Sequence, residues 1–293
     1  MKYAELLADF SWEEVIKSFD WDVQEKFNMG HECCDRWADH PNRVAIYWED
    51  EEGNTDVWTY KRLKEQSNRM ANALRSLGVK KGDRVAGLLG KDMELIITVL
   101  ATWKIGAVYV PMFTAFAQEA IKYRLQDCDC KILVTNQEQA AKLENVSISS
   151  QLILIDGLTS NGLTFWEFIG SFSDEHKTEP TNMMDLSVIQ YTSGSTGMPK
   201  GAAWAHKILI SSYPYVRYGL GVEEDDLLFG GADLGWAYGL INCTFVPLSY
   251  GTTLLIYKGP FNVEKVYSLL EKYRVTNFAY APTAYRLMMS YGS

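Results

Sequence analysis

Residues 191–201 read "YTSGSTGMPKG". Seven of the first eight are Tyr, Thr, Ser or Gly, a composition shared by flexible linkers and by loops that hold phosphate. The flanks separate the two. Before the loop, "LSVIQYT" (186–192) is an apolar run with β-branched residues, which predicts a buried strand. After it, "GAAWA" (201–205) is short and apolar and predicts a second strand. A linker would be bordered by polar sequence, so the stretch reads as a tight strand–loop–strand connection.

The loop composition has a use. Gly194, Gly197 and Gly201 let a ligand approach the main chain, and successive N–H groups in such turns form an anion nest. Thr192, Ser193, Ser195 and Thr196 add hydroxyls, Lys200 adds a positive charge, and Pro199 stiffens the approach to it. Together these suit a polyphosphate. A Walker A loop is excluded because Lys200 is followed by Gly201 and a strand rather than by Ser or Thr and a helix. A nucleophile elbow is excluded because Ser195 lies in Gly-Ser-Thr-Gly, and none of the four His marks itself as its base.

Working outward, strands and helices alternate. "VAIYW" and "VWTY" flank "EDEEGNTD" (49–56), the pattern of a hairpin with a solvated turn. Thr59 is placed to cap a helix whose face carries Leu63, Met70, Leu74 and Leu77, and Gly78 stops it. "RVAGLL" (84–89) is a buried strand. Asp92 opens a second helix, apolar on more than one side and therefore deeply buried, which Gly106 ends. Further strands are expected at "AVYVPM", "KILVT", "QLILID", "DLLFGG", "TTLLIYKG" and "VTNFAYAP". Helices are expected over about 117–127, from His206 to about 219, and over 263–273.

This alternation predicts an α/β fold of two packed lobes, each a mainly parallel sheet flanked by helices. The latter part of the polar, weakly patterned stretch 157–184 is the expected boundary. It gives a first lobe over 1–180 and an incomplete second lobe over 181–293, with residues 1–80 allowed to pack on the second.

Composition narrows the function classes. Of 293 residues, 47% are hydrophobic and 22% charged, the balance of a globular protein, and nine Trp with 17 Tyr argue against disorder. A net charge of −9 disfavours a broad nucleic-acid face. No signal peptide or membrane span is legible, and five Cys without a C-x-x-C pair read as free thiols of a cytoplasmic protein. His31, Cys33, Cys34 and His40 lie close in sequence but lack the ligand spacing of a tetrahedral metal site.

The stretch "YTSGSTGMPKGAAWAH" resembles the phosphate-binding signature of the adenylate-forming enzymes, which comprise acyl-CoA synthetases, nonribosomal peptide adenylation domains and luciferases. His206 matches the histidine that follows the signature. "TYKRLKEQSNRMANALRSLGVKKGDRVA", "LATWKIGAVYVPM" and "YRVTNFAYAPTAYRLM" resemble further family segments in order and spacing. "ADLGW" (232–236) resembles a block of acetyl- and medium-chain acyl-CoA synthetases, and "AYGL" (237–240) is similar to aryl-CoA ligases.

The resemblance implies an AMP-forming carboxylic acid:CoA ligase for a short-chain, medium-chain or aryl acid, with ATP, Mg²⁺ and CoA as reactants. Thr192, Ser193, Gly194, Ser195, Thr196, Gly197 and Lys200 would hold the ATP phosphates. Lys200 and Thr196 would serve catalysis, and Thr196 would also meet Mg²⁺. Trp236, Ala237, Tyr238 and Gly239 would line the acid pocket, against the alternative that Trp236 and Tyr238 simply pack in the core. The family's adenine, ribose, metal-glutamate and C-terminal lysine segments are expected outside this chain. A non-catalytic nucleotide-binding or scaffold role, and an adenylation domain serving a carrier protein, are the competing readings.

Overall fold

The structure is a computed structural model, and it describes residues 10–17, 26–158, 164–193 and 197–291. Two sheets form its frame. The six-stranded sheet has the order β6-β5-β3-β4-β7-β8, built from β3 (Arg84–Leu88), β4 (Val108–Met112), β5 (Cys130–Thr135), β6 (Gln151–Leu154), β7 (Leu186–Thr192) and β8 (Lys200–Ala205). The five-stranded sheet has the order β11-β9-β10-β1-β2, from β1 (Val44–Asp50), β2 (Thr55–Thr59), β9 (Leu227–Gly230), β10 (Thr253–Lys258) and β11 (Asn277–Ala279). Each sheet is parallel except for one antiparallel pair at an edge, β7 with β8 and β1 with β2.

The sheets do not divide at residue 181. β7 and β8 join the sheet begun by β3, while the early hairpin β1–β2, within the residues 1–80 that the sequence allowed to pack on the second lobe, joins the sheet completed by β9, β10 and β11. The polar stretch read as a boundary is instead tied to the helix Tyr60–Ser76. Asn68 donates to Asp174 O (2.8 Å), and Asn72 donates to Ser173 O and Glu175 O (2.9 Å each). Its polar sequence reflects a surface strap held by side-chain amides rather than by apolar burial. It also contains a short helix, Phe165–Gly170, started by a capping box between Thr164 and Glu167.

Between the sheets lie the helices Tyr60–Ser76 and Met93–Lys104. Thr59 Oγ1 accepts from the Arg62 N–H (3.1 Å), and Gly78 follows the helix end at φ 80°. Leu95 through Lys104 are all buried, as the two-sided apolar pattern predicts. Lys104 is tolerated there because its ammonium meets Asp35 (2.6 Å), Ser67 (2.8 Å) and Asn68 (2.8 Å). The core around these helices is continuous and takes side chains from both sheets, including Ile46, Val85, Tyr109, Val188 and Leu254. Smaller clusters lie under the outer helices Gln118–Asp127 and Val263–Tyr273.

Two elements near the carboxyl end of β9 and the end of β8 depart from expectation. His206 lies in a turn, and the helix that follows runs Ile208–Pro214 before widening to π geometry over Tyr215–Gly219. A second π-helix covers Tyr238–Phe245, where no helix was expected.

Candidate active site

In open α/β sheets, ligands bind beyond the carboxyl ends of the strands. Here those ends meet across the two sheets. Lys91, just past β3, donates from Nζ to the carbonyl of Gly231, just past β9 (3.0 Å). Asp92 pairs with Lys258 at the end of β10 (2.5 Å), and Trp48 Nε1 donates to Lys91 O (2.9 Å). Gln190 on β7 donates from Nε2 to Gly235 O (3.3 Å). The Tyr280 ring, past β11, lies on the backbone of Gly231, where a Cβ would fall 1.6 Å from it.

β7, whose carboxyl end lies on this side of its sheet, leads into the loop quoted first. Its stems are the antiparallel pair β7–β8, in which Thr192 faces Lys200 and Tyr191 faces Gly201. Thr192, Ser193, Gly197 and Lys200 are exposed. Gly197 has φ +135°, a conformation that L side chains rarely adopt. The far stem is braced by Tyr123, whose hydroxyl donates to Pro199 O (3.0 Å). Gly194, Ser195 and Thr196 lie outside the described residues, and with them the expected metal contact at Thr196.

The segment after β9 forms the facing wall. Trp236 is 52% exposed, with its ring 5.6 Å from that of Phe113, so it stands at the crevice rather than in the core. Tyr238 is half-buried, 6.4 Å from the Tyr215 ring, and burial pushes its phenol well above the usual range, leaving it a neutral hydroxyl. Ala237 is half-buried. Gly239 is buried, and a Cβ there would fall 2.2 Å from Asp233 O, so the turn admits only glycine. π geometry recurs at functional sites because it shifts side chains out of helical register.

His206 does not enter the crevice. It is fully buried, and its Nδ1 accepts from the Met29 N–H (3.1 Å). Burial pulls its pKa from 6.5 down to about 4, against the opposing pull of Asp185. The ring is therefore a neutral fastener for the N-terminal segment. Of the four residues near position 31 whose spacing did not suit a metal, two are packed in the core and His31 and His40 are exposed. Cys33 and Cys34 are buried, with their thiols on Phe245 O and Tyr60 O, and burial raises both, Cys34 to about 12. All five thiols are free and buried. Among the described residues no group of three or more His, Cys, Asp or Glu is placed to hold a metal.

Sequence reasoning missed Lys91, Phe113, Gln190 and Asp233. Burial lifts the Asp233 carboxyl above the usual range, while the Gly235 N–H (2.7 Å) and the Lys91 ammonium pull it back. Burial lowers Lys91, and Asp233 opposes that. A lone amide in the apolar run "LSVIQYT" was the available signal for Gln190.

The chain belongs to the AMP-binding enzyme family, whose model matches residues 34–293. It is 33% identical over 298 residues to the acetyl-coenzyme A synthetase of Bacillus subtilis, covering 99% of this chain and 52% of that protein. It is 32% identical to the 3-hydroxypropionyl-coenzyme A synthetase of Metallosphaera sedula, covering 96% of this chain and 47% of that protein. The crystal structure of an acyl-CoA synthetase from Brucella canis superposes with a TM-score of 0.90 at 32% identity, covering 99% of this chain and 54% of that one. The chain thus spans about half the length of the curated relatives it matches. Among the described residues no helix is long and apolar enough to cross a membrane.

Proposed function

We propose that the protein carrying this chain is an ATP-dependent, AMP-forming carboxylic acid:CoA ligase, and that this chain supplies its phosphate loop and acid-facing wall. The observation that carries the reading is that Lys91, just past β3, and Gln190, on the strand that leads into the loop, both bond to the segment 231–235 at the carboxyl ends of two facing sheets. The acid's carboxylate oxygen attacks the α-phosphorus of ATP and pyrophosphate leaves. The thiol of CoA then attacks the acyl carbon and AMP leaves.

The first step needs charge stabilisation on the departing pyrophosphate more than a protein nucleophile. Lys200 and the hydroxyls of Thr192, Ser193, Ser195 and Thr196, with the N–H groups around Gly194 and Gly197, are assigned that role. The hydroxyl oxygens of this loop would suit a Mg²⁺ ion carried in on the polyphosphate, with Thr196 as the residue that would hold it. Bound there, the ion would neutralise phosphate charge. Trp236, Ala237, Tyr238 and Gly239 are assigned to the acid, which the named relatives suggest is small. Five buried free thiols suit a reducing, cytoplasmic setting.

The test is acid-dependent ATP–pyrophosphate exchange in the full-length protein, followed by acyl-CoA and AMP formation when CoA is added. Exchange with a short, medium-chain or aryl acid is expected, and none with any acid overturns the reading. The 293-residue chain by itself is expected to show no exchange, and a measurable rate would remove the need for further segments.

A further inference from the structure

Cys128 and Cys130 flank a single residue where the helix Gln118–Asp127 turns into β5. Two residues of extended chain would hold their Cα atoms about 7 Å apart, beyond the roughly 4.4–6.8 Å that a disulfide spans. Asp129 is not extended. Its φ of 47° is left-handed, and it folds the turn so that the two thiols meet. Arg84 clamps this conformation. Its guanidinium donates to Cys128 O, and to Asp129 O and Oδ2 (2.7 Å each).

The pair differs from the other three thiols. Burial raises Cys33, Cys34 and Cys243, which keeps them protonated and inert. The bond from the Cys130 thiol and the charge of Arg84 hold Cys128 below its usual range, against the effect of burial, and Cys130 is pushed up in return. One sulfur is thus able to ionise and attack, and the sulfur beside it keeps its proton. Cys128 is 8% exposed, between the exposed Asp127 and Asp129, at a helix end where local opening costs least. Cys130 is 1% exposed, and it needs no contact with solvent because it reacts with Cys128.

We propose that Cys128 and Cys130 form an oxidation site for peroxide, with Cys128 as the attacking thiolate and Cys130 as the resolving thiol. The Cys128 sulfur attacks one peroxide oxygen and the O–O bond breaks. The sulfur is oxidised to a sulfenic acid, and the departing hydroxide takes up a proton to become water. The Cys130 sulfur then attacks the Cys128 sulfur. An S–S bond forms, the S–O bond breaks, and a second water leaves with the Cys130 proton. Two thiols and one hydrogen peroxide become one disulfide and two waters, and a thiol reductant reverses the change. A reversible pair of this kind suits a reducing setting, where lasting disulfides are rare. The Tyr191 hydroxyl reaches the Cys128 thiol as well as Asp127 (2.6 Å), so the site adjoins the stem of the 192–200 loop. The proposal does not rest on the ligase reading.

The experiment exposes the folded protein to hydrogen peroxide at neutral pH for graded times. The protein is then denatured, blocked with iodoacetamide, digested with trypsin and weighed by mass spectrometry. Peptide 125–131 carries both cysteines, whereas Cys33 and Cys34 fall on 27–36 and Cys243 on 218–258. Peptide 125–131 should become unblocked and lighter by two hydrogens, roughly tenfold faster or more than the other thiols are lost. Dithiothreitol should restore two blocked thiols. Cys130→Ser should stop at a Cys128 sulfenic acid that dimedone labels. A 125–131 peptide that stays doubly blocked as long as the other thiols overturns the proposal, as does one that ends as sulfinic or sulfonic acid in wild type. A folded Cys130→Ser protein without the dimedone label on Cys128 overturns the assignment of the attacking sulfur. The wild-type time course decides alone if that variant does not fold.

Discussion

At the residue scale, His206 and Lys200 come from one quoted signature yet do different work. Lys200 is exposed at the mouth of the loop, where its charge is available to a ligand. Lys200→Ala should weaken ATP binding by about 1–3 kcal/mol through loss of a charge-assisted contact, read by calorimetry on the full-length protein. His206 is buried and neutral, with its pKa held near 4 instead of 6.5. As pH falls, the unfolded chain takes up the proton first. The neutral ring therefore contributes stability fully above about 6.5, and that contribution is lost on acidification towards 4, on the order of 3 kcal/mol in all. His206→Asn keeps an acceptor for the Met29 N–H without titrating. Its melting temperature should fall less than that of wild type between pH 7 and 5, and an equal fall in both would refute the fastener role. At this scale the sequence was least legible. Gln190 and Lys91 matter through what they meet across the sheets, and no local pattern records a partner 45 or 140 positions away.

At the element scale, most of the fold was legible because it follows local rules. The hairpin β1–β2, the helix caps and the strands β7 to β11 lie where apolar period and turn residues put them. Thr59→Ala removes one such device, the acceptor for the Arg62 N–H, and should cost about 1 kcal/mol, seen as a lower denaturant midpoint with unchanged slope. The elements that were not legible share a cause. Residues 238–245 are almost uniformly apolar or small, so they carry no period to read, and glycine at 239 and 230 is what lets the backbone lie against the Asp233 carbonyl and Cys243. The strap after Phe165–Gly170 is polar because its partners are Asn68, Arg69 and Asn72, and a bound polar segment looks like an unbound one in sequence.

At the scale of the whole molecule, the two sheets are interleaved along the chain. β1 pairs with β10, and β4 pairs with β7, so each sheet takes strands from both sides of residue 181. The core between them is continuous. Expressed separately, residues 1–180 and 181–293 should each fail to give a cooperative melting transition by calorimetry, since each would expose unpaired strand edges and half of one core. A reversible cooperative transition in either piece would show that the sequence-based division at 181 describes an independent folding unit after all.

The pairing of β1 with β10 also bears on how the protein is made. Thr253 Oγ1 donates to Val44 O across 209 positions of chain. The hairpin that carries Val44 leaves the ribosome early, with one edge unpaired. Synthesis at about 5–20 residues per second delivers its partner strand roughly 10–40 s later. During that interval the β1 edge, rich in Val, Ile, Tyr and Trp, is open to other nascent chains. Glu49, read from the sequence as part of a solvated turn, is instead buried on β1 and paired with Lys265 and Lys272 once the fold is complete. Until then the acidic run Glu49–Glu52, the last two residues of β1 and the first two of the turn after it, ends that edge and is the kind of feature that keeps such strands from pairing early.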